Sequence, residues 1–149
     1  MNQKPHHLFL WMDALVLHRA VLDAVGSIIG PKILCWASQF FIKASGDAAF
    51  VRWHLDGNYW GLSSAEVVTA WIALTPFTPL SGNMRVIPGT HLAPVPHADT
   101  FAADNPLLRG QEITVAVNEG QAVDITLAPG EMSLHHVLNV HGSAPNRAS

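Results

Sequence analysis

Cysteine, tyrosine and basic charge are scarce in this chain, with one Cys, one Tyr and eight Lys and Arg in 149 residues. The lone Cys35 cannot close an internal disulfide, so the thiol content gives no sign of an oxidising compartment. Its neighbours in Ile33-Leu34-Cys35-Trp36 are apolar, which predicts a core position. Charged residues amount to 13%, with a net charge of −3 and no basic run, against roughly 25% charged residues in an average soluble domain. A phosphate backbone would find no electrostatic footprint here, which argues against a nucleic-acid partner. Long hydrophobic runs are missing too. The most apolar N-terminal stretch, residues 8–17, is interrupted by Asp13 and followed by His18 and Arg19. It falls short of the about 20 apolar residues that span a bilayer, and no small-residue cleavage pattern follows it. These absences predict a soluble, cytoplasmic protein without a membrane segment.

What the chain does have is apolar content, 49% of its residues. At this length that predicts one compact core, hence a single domain over 1–149. Leu8, Trp11, Leu15, His18, Leu22, Val25 and Ile29 recur at spacings of three and four, one face of an amphipathic helix over 7–30 that stops at Gly30-Pro31. From there the texture changes to short segments rich in β-branched and aromatic residues, at 33–42, 48–56, 67–74, 84–87, 113–117, 122–127 and 132–140. Turn signals such as Ser45-Gly46-Asp47, Ser81-Gly82-Asn83, Pro88-Gly89 and Pro129-Gly130 separate them. The expected fold is mainly β, a jelly roll over 33–147 carrying an N-terminal helix. Residues 92–109, with Pro94, Pro96 and Pro106 and no clear period, read as a long functional loop.

Nine histidines are available, and one sits with a carboxylate at ligand spacing. In Arg52-Trp53-His54-Leu55-Asp56-Gly57 the two-residue spacing at the end of a predicted strand points His54 and Asp56 to one face. An imidazole and a carboxylate there are two-thirds of a facial triad, which leaves the other side of a metal ion open. Leu134-His135-His136-Val137-Leu138-Asn139-Val140-His141-Gly142 offers three candidates for the third ligand. Alternation puts His135 and His136 on opposite strand faces, while His141 ends an apolar stretch beside a glycine that lets backbone approach closely.

Four blocks in order extend the pattern. They are Trp53-His54-Leu55-Asp56-Gly57-Asn58-Tyr59-Trp60, Val68-Thr69-Ala70-Trp71-Ile72-Ala73-Leu74, Gly82-Asn83-Met84-Arg85-Val86-Ile87-Pro88-Gly89-Thr90-His91, and Gly130-Glu131-Met132-Ser133-Leu134-His135-His136 with His141-Gly142-Ser143-Ala144-Pro145-Asn146-Arg147. Together they resemble the phytanoyl-CoA dioxygenase family of Fe(II)- and 2-oxoglutarate-dependent oxygenases. The resemblance implies a double-stranded β-helix of the cupin-like jelly-roll type, with Fe(II) bound by His54, Asp56 and His141. It implies 2-oxoglutarate as cosubstrate, contacted by Lys43, Trp71 and Ser143, and it makes Tyr59, Trp60 and His136 candidates for the substrate pocket. The implied activity is hydroxylation of a small organic molecule by molecular oxygen, with conversion of 2-oxoglutarate to succinate and carbon dioxide. Related halogenases replace the metal-binding carboxylate with a small residue, and Asp56 therefore favours hydroxylation over halogenation.

The family also carries an arginine on the strand after the distal histidine, whose planar fork pairs with the far carboxylate of the cosubstrate. This chain stops at Ser149 before such a strand, and Arg147 matches a different family position. The expectation is a C-terminally truncated domain lacking its last strand or strands, with an open sheet edge, weak cosubstrate binding and doubtful activity. Two alternatives share the sequence pattern. One is a cupin-like metal or small-molecule binder independent of 2-oxoglutarate; the other is a non-catalytic jelly-roll module. The substrate itself is not legible in the residues.

Overall fold

A computed structural model describes residues 4–92, 95–99 and 111–149. The chain divides into two compact units, Met1–Ile42 and Lys43–Ser149.

In the first unit the expected single helix is two, α1 (Leu10–Val16) and α2 (Arg19–Ile29), preceded by a short 3-10 turn at Pro5–His7. The break falls at His18, whose backbone is extended at φ −63° and ψ 129° while its carbonyl caps the start of α2. That interruption resets the helical phase. Val25 remains on the buried face of α2, but upstream Met12 is buried while Leu8, Trp11 and His18 are exposed. Residues 33–42, expected as a strand, form none. Instead Ser38 Oγ meets the buried His6 ring at Nδ1, 2.6 Å away, and Phe40 packs on Trp11 with ring centroids 5.8 Å apart. Cys35 is exposed, not in the core: without strand pairing the segment has no buried face to offer it.

The second unit is built from short strands: β1 (Val51–His54), β2 (Val68–Ile72), β3 (Met84–Val86), β4 (His97–Asp99), β5 (Gln111–Ile113), β6 (Val123–Asp124), β7 (Met132–His136) and β8 (His141–Ser143). Antiparallel pairing is nested, first with last: β1 with β8 and β2 with β7, as in a jelly roll. One sheet runs β1-β8-β3-β6, and β2–β7 and β4–β5 form two-stranded ladders. The β2 segment Val-Thr-Ala-Trp-Ile, with β-branched and aromatic residues at four of five positions, suits a pleated, half-buried surface. It pairs over its full length with β7, from Val68 opposite His136 to Ile72 opposite Met132. Val51, Leu55, Met84, Ile87, Val137 and Val140 supply the core.

The segment read as a long loop contains β4. Residues 93–94 and 100–109 of that reading lie outside the described residues. β8, read from sequence only as a histidine motif, is central to the larger sheet.

One glycine is required by that sheet. A Cβ at Gly142 would lie 2.9 Å from the Val51 carbonyl oxygen and 3.3 Å from the Trp53 ring, so β1 can approach β8 only if this position lacks a side chain.

Candidate metal centre

β1 ends on His54, and the chain then turns. Asp56 therefore sits not on the strand but at the start of a 3-10 turn, Asp56–Asn58, closed by the Tyr59 N–H donating to the Asp56 carbonyl. β8 starts on His141 and lies opposite His54 in the β1–β8 register. The result is that one ligand atom each from His54, Asp56 and His141 lie within 4.8 Å of one another. His54 Nε2 is 3.8 Å from Asp56 Oδ1, and the two imidazole rings are 4.2 Å apart at their centroids.

Both rings are aimed by the backbone two residues upstream. His54 Nδ1 donates to the Arg52 carbonyl and His141 Nδ1 to the Asn139 carbonyl, each at 2.9 Å. A carbonyl only accepts, so the proton sits on Nδ1 and Nε2 keeps its lone pair for a metal. Burial, reinforced by the neighbouring His141, holds His54 neutral far below the usual histidine range. Burial pushes the Asp56 carboxyl upward, and His141 pulls it partly back. A half-buried carboxylate facing the Nε2 atoms of two imidazoles is a site that a divalent cation would complete. Two imidazole nitrogens and one carboxylate oxygen, gathered on one side, are the donor set of a facial triad.

The other histidines divide around this centre. The inward-facing one is His135, whose ring lies 5.0 Å from that of His141 and whose pKa burial lowers to about 3. His136 takes the opposite face of β7, next to His91 at 5.8 Å, with Nδ1 accepting the Leu138 N–H. His97 is a contributor that local sequence gave no reason to select. Its Nδ1 donates to the Val95 carbonyl at 2.8 Å, and its Nε2 accepts the backbone N–H of Leu55 at 3.0 Å. It thus grips the residue between two of the three metal-site side chains.

Lys43 and Ser143 come together in a second corner. Lys43 Nζ donates to Ser143 Oγ at 2.7 Å, to the Ala144 carbonyl at 2.5 Å and to the Gly82 carbonyl at 3.3 Å. Burial lowers its pKa to about 8. Asn146, itself buried, donates from Nδ2 to the Lys43 carbonyl at 3.0 Å and so fixes the lysine's main chain. Asn146 lies in the block that follows His141, where sequence alone assigns it no task. Ser143 follows His141 by two, so both occupy one face of β8. Trp71 lies on β2 opposite Ser133 and stacks on Phe77 at 5.5 Å. Tyr59 meets His97 edge-on at 5.6 Å, and Trp60 lines a cleft of about 120 Å³ with Gly57, Leu62 and Leu138.

Residues 3–149 match the phytanoyl-CoA dioxygenase (PhyH) family along almost the whole chain. The chain belongs to that family. Its double-stranded β-helix is accordingly the family's fold. Among curated relatives, a probable alpha-ketoglutarate-dependent hypophosphite dioxygenase of Stutzerimonas stutzeri is 26% identical over 151 residues, covering 99% of this chain and 52% of the relative. The ectoine dioxygenase of Nocardia farcinica is 33% identical over 155 residues, covering 95% and 52% respectively. Among solved structures, the apo form of the non-haem monooxygenase ThoJ is 38% identical with a TM-score of 0.81, over 93% of this chain and 50% of ThoJ. The chain spans about half the length of these proteins.

Proposed function

We propose that this chain carries the metal and cosubstrate site of an Fe(II)- and 2-oxoglutarate-dependent dioxygenase that hydroxylates a small organic molecule. The observation that carries the reading is the convergence of His54, Asp56 and His141, with both rings fixed through Nδ1 so that Nε2 serves as ligand. These three residues would hold Fe(II), and the ion would supply the oxygen chemistry when bound. The residues around it bind and shield. Lys43 and Ser143 offer an ammonium and a hydroxyl in one corner, a pairing suited to a carboxylate of 2-oxoglutarate, and Trp71 forms an apolar wall. Tyr59 and Trp60 border the substrate side, whereas His136, expected there from the sequence, turns toward His91 on the face of β7 away from the metal centre. The relatives named as alpha-ketoglutarate-dependent and ectoine dioxygenases support the same chemistry.

The test is succinate formation from 2-oxoglutarate by purified protein supplied with Fe(II) and oxygen, compared with Asp56→Ala. Iron-dependent succinate that the variant fails to produce supports the proposal. Stoichiometric Fe(II) binding without any succinate points instead to a metal or small-molecule binder of the same fold.

A further inference from the structure

The inward face of the β2–β7 ladder holds three polar atoms shut off from solvent, with no hydrogen-bond partner among the described residues: Thr69 Oγ1, Ser133 Oγ and His135 Nδ1. They form one patch. Thr69 is directly opposite His135 and Ser133 is opposite Trp71, so the register places all three on a single face. That face points at the metal centre, because the His135 ring lies 5.0 Å from His141. His135 is itself only 8% exposed. Burying such groups unsatisfied carries an uncompensated desolvation cost, and three together in a single patch mark a place built to receive something polar.

Neither strand supplies a charge: β2 is Val-Thr-Ala-Trp-Ile and β7 is Met-Ser-Leu-His-His. An isolated anion or ammonium would be poorly matched there, whereas an uncharged group that both donates and accepts would satisfy all three atoms. We propose that Thr69, Ser133 and His135 form a subsite for a neutral hydrogen-bonding group of the substrate, an amide or hydroxyl, held beside the metal. This rests on the dioxygenase reading above. It adds a specificity: the side of the substrate facing β2–β7 is polar but uncharged.

Acetamide, with acetate as the charged counterpart, probes the subsite by saturation-transfer NMR on the full chain with and without Co(II). The comparison protein is Thr69→Val/Ser133→Ala, which removes both hydroxyls at nearly constant volume. Acetamide should bind the double variant about tenfold more weakly, at roughly threefold for each hydroxyl lost, and acetate should bind more weakly than acetamide. Equal acetamide binding by the two proteins overturns the subsite, and preference for acetate overturns its neutral character. The Co(II) absorption band, read in the same samples, reports the metal site separately. Its absence from the wild type would count against the dioxygenase reading, while the metal-free measurement would still decide the subsite.

Discussion

Lys43 and Ser143, 100 residues apart in sequence, meet at 2.7 Å. Neither is positioned by its neighbours alone. Asn146 holds the main chain of Lys43, and the β1–β8–β3 pairing delivers Ser143. Lys43 Nζ also donates to the Gly82 carbonyl. A Cβ at Gly82 would run into the Ala144 carbonyl, and its φ of +70° disfavours any side chain. The corner is thus an ammonium held by the Gly82 and Ala144 carbonyls and the Ser143 hydroxyl.

The first prediction concerns this ammonium. With a pKa lowered to about 8, Lys43 is mostly charged at pH 7 and loses its proton as pH rises through 8, well before a solvated lysine would. Affinity for 2-oxoglutarate, measured by calorimetry at constant Fe(II), should therefore fall between pH 7 and pH 9. Lys43→Met should weaken binding by at least about tenfold and flatten that dependence. A wild-type affinity unchanged across the interval would remove Lys43 from the cosubstrate site.

Metal binding separates the histidines. His54→Ala and His141→Ala should each lower Fe(II) affinity by more than about a hundredfold, beyond what loss of an outer-shell contact costs. His135→Ala should retain the metal, since His135 packs against His141 without belonging to the three-residue cluster. Equal losses in all three variants would sink the assignment.

Gly142→Ala should destabilise the fold by roughly 1–3 kcal/mol, because the new methyl would press on the Val51 carbonyl and the Trp53 ring. Urea denaturation gives the number. A midpoint equal to that of the wild type would mean that β1 and β8 can separate without cost.

Acid should weaken the protein through His135. Its folded pKa of about 3 lies below the ordinary unfolded value of about 6.5. Between those two values the unfolded chain holds the extra proton, so stability falls as pH drops through that window. The slope for one such histidine is about 1.4 kcal/mol per pH unit. In metal-free protein, His135→Phe should reduce the loss measured from pH 6.5 to pH 4.5.

The legible parts of this molecule were those with a repeating local pattern. Residues 67–74 are rich in β-branched residues, and β2 is found there at Val68–Ile72. Gly30, with φ of +84°, ends α2 where the sequence placed a stop. The break at His18 left no such mark, since no proline or glycine stands near it. The apolar run 33–42 resembles a strand in composition, but pairing is a property of two segments, and none of the described strands pairs with it. In the site, His54 and Asp56 were visible by spacing, although the carboxylate proved to stand on a turn. His97 and Leu55, 42 residues apart, are joined by one hydrogen bond that no window of sequence contains.

His54, His141 and His97 share a habit: each donates Nδ1 to the carbonyl two residues upstream. Their tautomers are set by a loop of backbone a few atoms long, independent of any distant carboxylate. The walls and mouth of this centre can then change while the bearing of each ring stays set by the backbone two residues before it.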